Sequence, residues 1–203
     1  MGDIGVGAGL DPSHKRSKKN KKSKIIQIVF AHVSGERFPL TALTMPLFHF
    51  SLADFNSYYR EDSVPLEILV PIAKGLLSAL SLFGQYKLSH CDVKPENVML
   101  KGLTPILLDL SGVVEFGNPI DIYTPYYALD ASAVQVTPLY DLNCLITSIA
   151  RCIIKPFDLK KERTRLQMKT EIEEFCRNDK ELYRNFMYKL FEKENSSDAF
   201  KLF

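Results

Sequence analysis

Apolar and polar positions along this chain fall into blocks whose period changes from strand to helix. Ile25-Ile26-Gln27-Ile28-Val29-Phe30 is a β-branched and aromatic run, and Phe38 to Phe50 holds a second apolar stretch broken at Pro46. Ser34-Gly35-Glu36-Arg37 between them predicts a hairpin turn. Ser51 stands before Leu52-Ala53-Asp54-Phe55 as the N-cap of a short helix. From about Pro65 to Lys87 the period lengthens to that of a helix, with Ile68, Ile72, Leu76, Leu77, Leu80 and Phe83 on one face. The pattern then shortens to two strands, Asn97-Val98-Met99-Leu100 and Pro105-Ile106-Leu107-Leu108-Asp109, joined by a turn at Lys101-Gly102. After an irregular stretch, three helical segments follow at roughly 140–154, 159–178 and 180–192. This half of the chain is mainly helical with a small hairpin set into it.

Composition narrows the class. The chain has 203 residues, 46% hydrophobic and 25% charged, which is ordinary for one globular domain with or without a tail. Glu67, Pro71 and Lys74 interrupt the stretch from Leu66 to Phe83, so it reads as a buried amphipathic helix and not a membrane span. The opening Met1-Gly2-Asp3-Ile4 carries no apolar core of secretory length, and Val6 stands where a myristoylation motif wants Ser or Thr. Cys91, Cys144, Cys152 and Cys176 form no C-x-x-C pair and are expected as reduced thiols of a cytoplasmic or nuclear protein.

The net charge of +2 hides an uneven distribution. Residues 15–24, Lys-Arg-Ser-Lys-Lys-Asn-Lys-Lys-Ser-Lys, hold seven positive charges and no acid, which leaves the rest of the chain at −5. Residues 1–24 are glycine-rich and then polybasic, and are expected to form a disordered leader. The run from Lys15 to Lys24 fits an import signal, an anionic-lipid or nucleic-acid contact, or simply a solvated tail. Gly5-Val6-Gly7-Ala8-Gly9 has no strand beside it, and a lone glycine cluster does not make a phosphate loop.

The chemistry concentrates in His90-Cys91-Asp92-Val93-Lys94-Pro95-Glu96-Asn97, followed twelve residues after Asn97 by Asp109-Leu110-Ser111-Gly112. A loop here bears a carboxylate, an ammonium and an amide, and a hairpin delivers a second carboxylate. Phosphoryl transfer needs that inventory: an acceptor for the nucleophile's proton, a cation for the moving phosphate, and oxygen ligands for Mg²⁺.

At these positions the chain resembles the eukaryotic protein kinase family. Its catalytic loop is met by His90, Asp92 and Asn97, its metal-binding triplet by Asp109-Leu110-Ser111, and Lys-Pro-Glu-Asn is similar to the serine/threonine branch. Met45-Pro46-Leu47-Phe48 resembles the hinge, Thr124-Pro125-Tyr126-Tyr127 the stretch that shapes the peptide site, and Tyr140-Asp141-Leu142 the start of the central helix. The resemblance covers residues 25–203 and implies an α+β, protein-kinase-like fold: a mainly helical C-terminal lobe with a small remnant of the N-terminal sheet. It implies that Asp92 accepts the substrate hydroxyl's proton and Lys94 neutralises the transferred phosphate. Asn97 and Asp109 would hold Mg²⁺, and Met45 and Met99 would line the ATP adenine. It also implies that Asp141 caps the central helix and accepts hydrogen bonds from the His90–Asp92 backbone.

The departures are equally specific. A Gly-rich hairpin, a third strand with its Lys and a helix with the partner Glu need roughly 28 residues before turns, whereas 24 precede Ile25. Cys91 replaces the Arg that reads activation-loop phosphate, and Leu110 and Ser111 replace Phe and Gly. Leu129-Asp130-Ala131 lacks the family's Glu, and no Arg stands in Phe191 to Ser196 to pair with one. Asn195-Ser196-Ser197 reads as a polar tail, and the Cys144/Cys152 pair as core. Two functions follow from the resemblance. One is attenuated phosphoryl transfer from Mg-ATP to Ser or Thr of a protein substrate. The other is a non-catalytic mimic of a kinase large lobe that binds a kinase or its partner.

Overall fold

The computed structural model describes residues 28–31, 40–43, 48, 50–120, 123–130 and 135–201. The class is α+β, with six helices and small antiparallel sheets among the described residues. The chain divides into two compact units, Met1–Pro46 and Leu47–Phe203. In the first, β1 (Ile28–Ala31) pairs antiparallel with β2 (Leu40–Leu43), with Ile28 opposite Leu43 and Ala31 opposite Leu40. The leader (residues 1–24), the Lys15–Lys24 run, the Ser34–Arg37 turn and Met45 lie outside the described residues.

The second unit begins with β3 (Phe50–Ser51) and α1 (Leu52–Tyr58). Ser51 caps α1 as its sequence predicts: its Oγ accepts from the Asp54 amide at 3.0 Å, and Asp54 Oδ2 accepts from the Ser51 amide at 2.9 Å. α2 (Leu66–Gln85) buries Leu69, Ile72, Ala73, Leu76, Leu77 and Leu80. Ile68 and Phe83, at the margins of that stripe, are only half-buried. It is the one described helix long and apolar enough to cross a membrane by length and composition. Its buried stripe packs instead against the elements at Leu88–Ser89, Thr104–Leu107, Tyr140–Ile153 and Ser196–Phe200. After α2 come β4 (Leu88–Ser89), β5 (Val98–Lys101), β6 (Thr104–Leu107) and β7 (Val114–Glu115). β5 is the centre of a β3-β5-β6 sheet, with Met99 opposite Ser51 on one side and Ile106 on the other; β4 pairs with β7.

α3 (Tyr140–Ile153) is the buried axis of this unit: every residue except Arg151 is buried. Its polar side chains are therefore bonded rather than solvated. Thr147 Oγ1 donates to the Asn143 carbonyl at 3.1 Å, and Ser148 Oγ reaches the carbonyls of Cys144 at 2.8 Å and Val93 at 3.2 Å. Cys144 and Cys152 are core, and all four cysteines are buried free thiols.

Three expectations need correction. The helix expected from residue 159 starts only at α4 (Arg165–Phe175). Thr164 and Gln167 form a reciprocal capping box at 3.1 and 2.8 Å, which fixes the start there. Just before it, the buried Arg163 bonds Glu171 and the carbonyls of Asp158 and Lys161, and lies 4.4 Å from the Phe157 ring. After α5 (Glu181–Phe191), the expected polar tail is a further helix, α6 (Ser196–Phe200), capped by Asn195, whose Oδ1 accepts from the Asp198 amide at 2.8 Å. Asp141 does not cap α3: the N-cap is Leu139, and the Asp141 carboxylate is spent elsewhere.

One close approach sets the spacing of α2 and β6. A Cβ on Gly75 would stand 2.6 Å from Cγ and Cδ of Pro105. Alanine would add helix propensity of about 1 kcal/mol, but a proline ring on a strand cannot swing aside, and overpacking costs about 1–3 kcal/mol. Gly75→Ala is expected to lower the unfolding free energy by about 1 kcal/mol net, read in urea titration as a lower midpoint at unchanged slope.

Candidate functional site

The loop after β4 is fastened from below before it presents any chemistry. Asp141, on the first turn of α3, accepts the His90 amide at 2.8 Å on Oδ2 and the Cys91 amide at 3.0 Å on Oδ1. Burial raises its pKa, and the two amide bonds work against that rise. Cys91 is held at φ 66°, an unusual conformation for a side chain of its size. Burial pushes its thiol up to about 11, so it is a neutral thiol at neutral pH. His90 is fully buried; its Nδ1 accepts the Asp92 amide at 3.3 Å, which leaves Nε2 to donate to the Leu108 carbonyl at 2.9 Å. That bond ties the loop to the residue before Asp109.

On this base the predicted residues converge. Asp92 Oδ2 lies 2.7 Å from Lys94 Nζ and accepts Asn97 Nδ2 at 2.8 Å. Asp92 Oδ1 accepts the Thr124 hydroxyl at 2.6 Å, and Lys94 Nζ donates to the same Thr124 Oγ1 at 2.8 Å. Asn97 Nδ2 also reaches the Asp92 carbonyl at 2.9 Å. The amide is thereby oriented, and its Oδ1 has no partner among the described residues. Thr124 is the member that no motif reading assigned to the cluster: it comes from a segment 32 residues away in sequence.

Asp109 stands apart from these bonds. It leaves β6 at φ 62°, is exposed, and holds the start of the 110–112 turn by accepting Ser111 Oγ at 2.5 Å and the Ser111 amide at 3.3 Å. Those bonds hold its carboxyl below the usual carboxylate range, so it is an anion at neutral pH. Met99 is half-buried on the central strand, and nothing can be said of Met45, which lies outside the described residues.

Two neighbouring features complete the surroundings. A cleft of about 450 Å³ opens along the 123–130 segment, lined by Tyr123, Pro125, Asp130, Glu162 and Gln167 among others. Arg165 stands at the start of α4, behind the 123–130 segment. It donates to Asn143 Oδ1 at 2.5 Å and to the carbonyls of Phe191 and Lys193 at 2.6 and 3.1 Å. Asn143 in turn donates to the Leu129 carbonyl at 3.4 Å.

Against known proteins, no family model matches the chain, and no curated protein sequence matches it.

The donor set can be tested against an Mg-nucleotide from its chemistry. Among the described residues no group of three or more His, Cys, Asp or Glu could hold a metal ion. Mg²⁺ sites of the nucleotide-dependent kind need less than that: one or two carboxylates, with phosphate and water completing the shell. The ionised carboxylate of Asp109 and the Asn97 amide oxygen, without a partner among the described residues, are each donors of the kind such a hard cation takes when phosphate arrives with it. They do not suit a free metal ion.

Proposed function

We propose that this chain is a protein-kinase-like large lobe that transfers phosphate from Mg-ATP to a serine or threonine hydroxyl of a polypeptide, at reduced rate. The observation that carries this reading is the Asp92 carboxylate, braced within hydrogen-bond distance of Lys94, Asn97 and Thr124 on a loop anchored by Asp141. A carboxylate offers about four lone-pair sites, and three are engaged. One remains for an incoming hydroxyl.

Bound Mg-ATP would supply the γ-phosphoryl group. As the hydroxyl oxygen bonds to phosphorus and the bond to the ADP oxygen breaks, the hydroxyl proton passes to Asp92. With Mg-ATP bound, Lys94 would neutralise charge on the phosphoryl oxygens, Asn97 and Asp109 would hold the cation, and Met99 would line the base. Little covalent chemistry is asked of the protein, so positioning and charge carry the catalysis. The 123–130 cleft supports a polypeptide substrate, since it extends from the segment that carries Thr124.

The near-saturation of Asp92 favours a second reading, in which the same loop is a static scaffold that binds a kinase or its partner. Nucleotide binding is a first test. Thermal-shift titration with ATP and Mg²⁺ is expected to give little stabilisation below millimolar nucleotide, because the motif residues that would clamp the phosphates are not found in the sequence. The shift should require Mg²⁺ and vanish in Asp109→Ala. A Mg²⁺-independent shift, or none at any concentration, removes the phosphoryl-transfer reading.

A further inference from the structure

Arg151 is the exception on the buried helix α3. Its side chain is 15% exposed, and it points to the same loop from the other end. Nη1 donates to Glu96 Oε1 at 2.5 Å and also bonds the Tyr127 hydroxyl; Tyr127 donates to Glu96 Oε2 at 3.3 Å. Burial disfavours its charge, but the bonds to Glu96 and Tyr127 outweigh that and hold its pKa above the ordinary arginine value. Glu96 stands two residues after Lys94 and one before Asn97, and Tyr127 stands three after Thr124. Both partners therefore come from the two segments that enclose Asp92.

A polypeptide with its hydroxyl at Asp92 would lay its flanking residues against these two segments. Glu96 is 44% exposed there and, left alone, would favour a basic neighbour. Arg151 already fills that role from within the fold.

We infer that Arg151 and Glu96 form a self-neutralised recognition pair. It makes the position beside the target hydroxyl indifferent to charge, so the preferred substrate segment is uncharged there. This rests on the reading of Asp92 as the hydroxyl site.

Removal of either member should expose the other. About a tenfold preference is expected, which corresponds to about 1.4 kcal/mol. The test uses fluorescein-labelled serine peptides carrying a single Arg, Glu or Gln at each of three positions on either side of the serine. Binding is read by anisotropy to the full chain and to Arg151→Gln, Glu96→Gln and the double variant, each first checked for native helical circular dichroism. At one position or more, Arg151→Gln should prefer the Arg peptide about tenfold and Glu96→Gln the Glu peptide about tenfold. The unaltered chain and the double variant should discriminate less than about twofold. Identical rankings in all four proteins, or no peptide bound by any of them, overturn the inference. Anisotropy needs no phosphate transfer, so absence of turnover would sink the catalytic reading alone.

Discussion

Asp141→Ala is expected to melt well below the unaltered chain, by roughly 5–15 °C, although it substitutes none of the chemistry-bearing residues. The carboxylate is buried and takes two backbone amides, those of His90 and Cys91, which have no other partner once it is gone. An unsatisfied buried donor costs about 1–3 kcal/mol, and a domain of this size shifts by about 2–4 °C per kcal/mol. Relief of the buried charge offsets only part of that, since alanine offers neither amide an acceptor. Against a total stability of roughly 5–15 kcal/mol the effect is large. Glu61→Ala, on an exposed position before α2, should leave the melting temperature within about a degree. Equal melting of both variants with the parent would mean that the loop does not depend on α3 for its shape.

Asp92→Ala and Asp109→Ala are expected to abolish turnover to the background by orders of magnitude, through different losses. Asp92 accepts the proton and positions the hydroxyl, so its removal should leave the Mg-ATP thermal shift intact. It also frees Lys94, Asn97 and Thr124 from their shared partner, and a modest drop in melting temperature should accompany the loss. Asp109 contacts only Ser111 by hydrogen bond among the described residues and is exposed. Its removal should leave stability nearly unchanged while eliminating the Mg²⁺-dependent shift. The measurement is steady-state transfer from labelled ATP to a serine/threonine peptide mixture, alongside melting with and without nucleotide. The same nucleotide response in the two variants, or the same melting temperature, would contradict this division of roles.

Local signals carried much of this fold. The period of α2 is visible in Ile72, Leu76 and Leu80, because one helical face must be buried. Ser51 with Asp54 three residues on, and Lys101-Gly102 between two apolar runs, mark a cap and a turn that depend on nearest neighbours. The start of α4 was hidden because Lys160 to Thr164 carries helix-compatible residues, while burial of Arg163 on Phe157 and Glu171 is a tertiary effect. α6 is five residues long, too short to show a period. At the site, the residue types of Asp92, Lys94, Asn97 and Asp109 were legible as an inventory. The entry of Thr124 into the cluster, and the pairing of Arg151 with Glu96 across 55 positions, were not. Long-range partners leave no local pattern; the resemblance of Thr124-Pro125-Tyr126-Tyr127 to a peptide-site stretch pointed to that segment without giving its bonds.

The account's central claim is tested most directly by intact-mass spectrometry of a serine/threonine peptide mixture incubated with Mg-ATP and the purified full chain, beside Asp92→Ala prepared identically. The reading predicts slow accumulation of singly phosphorylated peptide with the unaltered chain and none above the enzyme-free blank with the variant. Equal accumulation with both proteins, or none with either at millimolar Mg-ATP, would contradict it.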